Sequence, residues 1–104
     1  MAKRTSRNDD FLFSCKNTIA SSKLYNFIAE LVNEDKVEEA KIVASTDYLL
    51  DYLVSAIKAR DRFSTMDTSK RIKEKLKELE DKNINAPLLK ESFDKIIKMN
   101  KLKL

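Results

Sequence analysis

The chain contains no glycine, and its only proline among 104 residues is Pro87. Glycine supplies the positive backbone φ of tight hairpin turns and of loops that cradle phosphate, so both structures are disfavoured here. No long stretch alternates strictly between apolar and polar residues, as a half-buried strand does. The sequence is therefore predicted to be all-α.

Length and composition favour one folded domain. A chain of 104 residues is too short to divide into two halves that each bury a core, and its 42% hydrophobic content provides apolar surface to bury. The inferred connections are only a few residues long, which favours antiparallel neighbours in a compact bundle of four to five helices. We predict a flexible basic arm over residues 1–8 and a single helical domain over 9–104.

The first half of the chain has three predicted helix starts. Asn8 or Asp9 would cap the first helix, and Ser21 or Ser22 the second, where apolar residues follow at helical spacing. Asp35 followed three residues later by Glu38 resembles a capping box, which predicts a third helix from about Lys36. The apolar residues of the first two helices are Phe11, Leu12, Cys15, Ile19, Leu24, Phe27, Ile28, Leu31 and Val32.

The third helix is apolar around nearly its full circumference between Tyr48 and Ile57, which is typical of a central helix. Tyr48 and Tyr52 are accordingly predicted to lie in the core, with Tyr25, and their hydroxyls would reach its rim. Residues 45–47 are all helix-capping types, so a break there and a continuous helix to about Arg60 both fit the pattern.

Residues 63–68 resemble a turn, and Asp67 or Thr68 would cap the next helix. That helix has only a narrow apolar stripe among lysines and glutamates. Asn83 suits the left-handed position after a helix, and Pro87 suits the first turn of the last one. The apolar residues of these two helices are Ile72, Leu76, Leu79, Leu89, Phe93, Ile96 and Ile97.

Several kinds of chemistry cannot be built from this residue set. Histidine is absent and Cys15 is the only cysteine, which excludes an internal disulfide, Cys/His zinc sites and histidine acid–base catalysis. The densest carboxylates are Glu34, Asp35, Glu38 and Glu39; two of them are assigned to helix capping and the first turn, and the set lacks the spacing of a calcium loop. No complete catalytic set remains, so we predict no enzymatic activity, no cofactor and no metal. No apolar run is long enough to span a membrane, and a cytoplasmic location is expected.

The candidate binding residues are basic, within a net charge of +4. They are Lys3, Arg4 and Arg7 in the arm, Lys70 and Arg71 in the fourth helix, and Lys98 and Lys101 near the C-terminus. Such residues contact phosphates in nucleic-acid-binding proteins. Each group also has a structural interpretation: solubility for the arm, a salt-bridged face for the fourth helix that includes a Glu78–Lys82 pair, and the helix macrodipole for the C-terminus.

Two functions follow as hypotheses. The first is a non-enzymatic, nucleic-acid-associated accessory or regulatory protein that binds DNA or RNA largely through phosphates. The alternative is a protein-interaction module, such as an inhibitor, adaptor or assembly subunit. The Lys-, Asn- and Ile-rich composition is associated with phage, plasmid and bacterial defence proteins. A small core also makes a homodimer an expectation.

Overall fold

The computed structural model describes residues 6–102, with side chains from residue 10 onward. Five helices and no strand occupy this range, which confirms the all-α prediction. The connections between them are three to five residues long, as expected. The helices are α1 (Ser6–Thr18), α2 (Ser22–Asn33), α3 (Val37–Lys58), α4 (Arg62–Asp81) and α5 (Pro87–Met99).

The chain divides into two compact units within α3, one ending at Ala44 and the other beginning at Ser45. In the first unit α1 packs against α2. The second unit holds the rest of α3 with α4 and α5. Whether the chain is one domain stays a prediction. No helix within residues 6–102 has both the length and the apolar character required to cross a bilayer.

Helix α1 begins earlier than predicted. Its first residue is Ser6, so Arg7, Asn8 and Asp9 lie within it, and the predicted cap at Asn8 or Asp9 is wrong. Asn and Asp are favoured both at the N-cap and in the first turn, so these residue types alone do not locate the start. The second helix matches its prediction, because Ser21 caps it by accepting a hydrogen bond from the Leu24 amide.

The ends of α2, α3, α4 and α5 share one backbone motif. In each case the second residue after the helix has a positive φ, between 52° and 62°, although none is glycine. The amide of this residue and the next amide donate to carbonyls of the last turn, as in a Schellman motif. The four residues are Asp35, Arg60, Asn83 and Lys101.

This motif confirms the position of Asn83 and corrects that of Asp35. An N-cap residue has extended backbone, whereas Asp35 has a φ of 62° and terminates α2. Its amide donates to the Val32 carbonyl at 3.1 Å, and the Lys36 amide donates to the Leu31 carbonyl at 2.8 Å. The predicted capping box of Asp35 and Glu38 is therefore wrong, because the left-handed residue belongs to the preceding helix.

Helix α3 is continuous from Val37 to Lys58, so no break occurs at residues 45–47. It is not buried on all sides. Tyr48 is 69% exposed and Tyr52 is 47% exposed, so the prediction that they lie in the core is wrong; Tyr25 in α2 is half-buried. Four residues apart, these two side chains share the face that points away from the buried stripe. The buried stripe consists of Ala40, Val43, Thr46, Leu50, Leu53 and Ala56.

Helix α4 begins at Arg62, so the predicted turn over residues 63–68 is wrong. In its first turns the buried face carries hydroxyl side chains and not apolar ones. Thr65, Thr68 and Ser69 are buried, and the Ser69 hydroxyl donates to the Thr65 carbonyl at 2.7 Å. Buried hydroxyls are tolerated when they are hydrogen-bonded in this way. The stripe continues through Ile72 and Leu79, as predicted, while Leu76 is half-buried.

Candidate functional site

The start of α4 is held by Asp61. Its carboxylate accepts a hydrogen bond from the Ser64 amide at 3.0 Å and another from the Ser64 hydroxyl at 2.8 Å. These hydrogen bonds hold the pKa of the Asp61 carboxyl below its ordinary value of 3.8. The cap sets the first turn of α4, and with it the direction in which Phe63 and Met66 project.

The lowered pKa makes the capping contribution dependent on pH. A carboxyl whose folded pKa is depressed stabilises the fold above its unfolded pKa, and this contribution is lost as the pH falls through the folded value. We expect wild-type stability to decline below about pH 3.8 in part for this reason. The variant Asp61→Asn keeps a capping acceptor that does not titrate, so thermal unfolding from pH 7 to pH 2 should show a smaller decline. An identical decline in both proteins would contradict this role.

Two large apolar side chains are exposed beside the cap. Phe63 is 80% exposed and Met66 is 63% exposed. They lie three residues apart in α4 and therefore share one face of the helix. We call them the apolar pair. They line a cleft of about 420 Å³ together with Asp67, Ser69, Lys70 and Lys73.

Three lysines continue the same face towards the C-terminus of α4. Lys70, Lys73 and Lys77 are exposed and follow Met66 at spacings of four, three and four residues. None of them forms an ion pair among the described residues. We call them the lysine row. The five positions of the apolar pair and the lysine row thus form one seam along α4 at alternating spacings of three and four.

Arg71, one of the predicted binding residues, lies on a different face. It is a neighbour of Lys70 in sequence, but successive helical residues are rotated by about 100°. Its guanidinium donates to the Asp67 carboxylate at 3.0 Å. This pairing neutralises Asp67, the carboxylate that lines the cleft, and occupies Arg71. The expected Glu78–Lys82 ion pair is not formed in the described part of the chain. Lys82 is the C-cap residue of α4, where its backbone amide donates to carbonyls of the last turn.

The remaining predicted residues do not assemble into a common surface. Lys98 is exposed in the last turn of α5, but Lys101 has a φ of 52° and lies beyond the helix. The two lysines therefore do not share a face of α5, because the chain reverses at Lys101. Lys3 and Arg4 lie outside the described residues, and Arg7 is described only as part of the α1 backbone.

A second groove in the same unit separates α3 from α4. It holds about 570 Å³ and is lined on one side by the exposed Tyr48. Three basic and three acidic side chains line it: Lys70, Arg71, Lys75, Asp67, Glu74 and Glu78. Because these charges balance, the groove provides no electrostatic preference for a ligand of either sign.

Cys15 and two of the densest carboxylates have structural roles. Cys15 is buried, and burial raises the pKa of its thiol, which disfavours the reactive thiolate. Glu34 pairs with Lys36 at 3.5 Å and Glu38 pairs with Lys41 at 3.8 Å. Within the described part of the chain, no three His, Cys, Asp or Glu side chains are grouped closely enough to hold a metal ion.

The apolar pair was absent from the sequence-based candidates. Phe63 and Met66 fell in a segment predicted to be a turn, where single apolar residues carry no periodic signal. Asp61 followed by Ser64 could have indicated an earlier helix start, since aspartate is a preferred N-cap. No protein-family model matches the chain, and comparison with curated proteins and with solved structures gives no significant match.

Proposed function

We propose that the protein is a non-enzymatic interaction module and that the seam of α4 binds a protein partner. The observation that carries this proposal is the exposure of Phe63 and Met66 on one helix face, at 80% and 63%. Aromatic residues and methionine are enriched in protein interfaces, and grouped exposed apolar side chains are typical of interaction sites.

The expected energetic contribution of the apolar pair is large enough to measure. Complete burial of a Phe or Met side chain contributes about 1.5–3 kcal/mol relative to exposure. Both side chains project from one rigid helix, so little conformational freedom of the backbone is lost on binding. Removing both side chains should therefore lower the affinity for a partner by at least about tenfold.

The test is a selection of displayed random peptides on the purified protein, followed by affinity measurements on the peptides recovered. We expect Phe63→Ser combined with Met66→Ser to lower their affinity by about tenfold or more. The control is Phe13→Ser combined with Met99→Ser, which removes the same residue types where they are 70% and 72% exposed on α1 and α5. Equal losses in both double variants, or no recovered peptide, would contradict the proposal.

Nucleic-acid binding is the second candidate function, and the lysine row favours it. The unit from Ser45 onward holds 14 of the 21 basic residues and 10 of the 17 acidic ones, so the chain's net charge of +4 resides there. Lysines that lack ion pairs are free to contact phosphates, and such binding weakens steeply with salt. In this alternative Lys3, Arg4, Arg7, Lys98 and Lys101 would add further phosphate contacts.

Three finer expectations also belong to the proposal. They are a cytoplasmic location, an origin in a phage, plasmid or bacterial defence system, and assembly as a homodimer. The single cysteine, Cys15, supports a cytoplasmic location, and the Lys-, Asn- and Ile-rich composition supports the phage, plasmid or defence origin. The small size of the chain supports the third, and sedimentation that shows only monomer at all concentrations would reject it.

A further inference from the structure

We propose that the partner of the α4 seam is an acidic amphipathic helix. This inference rests on the proposed function and names the chemistry of its partner. The seam positions 63, 66, 70, 73 and 77 repeat at spacings of three and four, which is the spacing by which one helix packs along another. Phe63 and Met66 form its apolar end, and the lysine row forms its charged end.

The size of the seam suits a helix. Positions 63 to 77 cover 14 residue steps, or about 21 Å along the helix axis, which is roughly four turns. The cleft beside Phe63 and Met66 is open and is lined by α4 alone, so an apolar side chain of the partner would pack against these two residues on the helix surface. An amphipathic helix that places one apolar anchor there continues along the lysine row for the next two to three turns.

Charge complementarity selects an acidic partner. The lysine row forms no ion pair within residues 6–102, and the nearest carboxylate of the cleft, Asp67, is already held by Arg71 at 3.0 Å. Carboxylates three, four or seven residues from the apolar anchor would therefore oppose lysines that lack partners. Carboxylates lie in the grooves beside the row, Glu74 and Glu78 near Lys70 and Glu80, Asp81 and Asp94 near Lys73 and Lys77. None of these described carboxylates forms an ion pair with the row, so each lysine can still pair with a carboxylate of the partner.

A second copy of the same face does not meet this requirement. In a parallel pair of α4 helices the two lysine rows would lie against each other, and in an antiparallel pair centred on position 70 Lys70 would oppose Lys70 while Lys73 and Lys77 would cover the apolar pair. Like charges that face each other in this way repel and disfavour association. The partner is thus a different chain with Asp or Glu along one helical face.

The test compares two pairs of lysines that are each exposed and three residues apart. Lys70→Glu with Lys73→Glu reverses the seam, whereas Lys95→Glu with Lys98→Glu makes the same change in net charge on α5. Peptides of about four helical turns, selected on the wild-type protein, are titrated against both double variants and against Phe63→Ser with Met66→Ser. Double-stranded DNA and single-stranded RNA serve as further probes.

We expect the selected peptides to be acidic amphipathic sequences with an apolar anchor. Reversing the charges of Lys70 and Lys73 should lower the affinity for these peptides at least tenfold at low salt, and by less at about 1 M salt. Reversing the charges of Lys95 and Lys98 should change the affinity by less than about twofold. Peptides that need Phe63 and Met66 but lack acidic residues would overturn this inference and leave the proposed function intact. Peptides indifferent to Phe63 and Met66 would overturn both. DNA or RNA binding that depends on Lys70 and Lys73 alone would assign the seam to nucleic acid.

Discussion

Replacing Leu53 with alanine is expected to lower the free energy of unfolding by about 2–5 kcal/mol. Leu53 lies on the buried stripe of α3 and has no solvent exposure. Truncation removes the transfer free energy of the buried methyl groups and leaves a cavity that the neighbouring side chains fill only in part. Urea denaturation, with the dependence on denaturant compared between variant and wild type, measures this change.

The matched control is Tyr48→Ala on the opposite face of the same helix. Tyr48 is 69% exposed, and substitutions at exposed positions usually change stability by less than about 0.5 kcal/mol. A large loss at Leu53 and almost none at Tyr48 would establish that only one face of α3 is buried. Comparable losses at both positions would instead support the helix buried on all sides that the sequence predicts.

Arg60→Gly combined with Lys101→Gly is expected to stabilise the protein by about 1 kcal/mol, because the strain relieved at each site is partly offset by the greater conformational entropy of glycine in the unfolded chain. Both residues have a positive φ, 57° and 52°, which costs a residue with a Cβ about 1 kcal/mol or more. Glycine removes this steric cost and keeps the amide that donates to the last turn. The two sites end different helices, so their effects should add.

Alanine at the same two positions distinguishes the backbone effect from the loss of charge. Arg60→Ala with Lys101→Ala removes the same side-chain charges but retains the Cβ, so the left-handed conformation stays unfavourable. We expect no stabilisation of this double variant in thermal unfolding. Equal stabilisation by alanine and glycine would show that charge, and not backbone conformation, limits stability at these helix ends.

The lack of glycine predicts the all-α fold correctly, but it does not predict which residues end the helices. A helix followed by a tight reversal needs a left-handed residue, whether or not glycine is present. Asn83 was identified because asparagine is the usual substitute. Arg60 and Lys101 have no such preference, so only the structure reveals their conformation. Asp35 suits both an N-cap and a left-handed position, and the sequence alone favoured the wrong one.

The start of α4 shows why part of the site escaped prediction. The buried face of a helix usually carries apolar residues at helical spacing, but here Thr65, Thr68 and Ser69 occupy it. The apolar residues of the same segment, Phe63 and Met66, point to solvent. The hydrophobic pattern is thus inverted over the first two turns. A segment with this inversion looks like a turn, although Asp61 caps it and hydroxyl hydrogen bonds stabilise it.

Lys70 and Arg71 were proposed together as phosphate contacts, and their charge alone does not distinguish them. The separation depends on helix phase and on the position of Asp67, which lies four residues before Arg71. The sequence contains both facts once the helix is known to begin at Arg62. The predicted turn over residues 63–68 placed Asp67 outside the body of the helix, so the pairing of Asp67 with Arg71 was not predicted.

The most direct test of the α4 seam uses the methionine methyl groups. The chain has only three methionines, Met1, Met66 and Met99, so selective ¹³C-methyl labelling yields three signals that single substitutions assign. We expect titration with a selected acidic peptide to shift and broaden the Met66 signal while the signal of Met99, which is also exposed, stays in place. A peptide that binds and moves the Met99 signal but not that of Met66 would contradict the assignment of the seam as the binding surface.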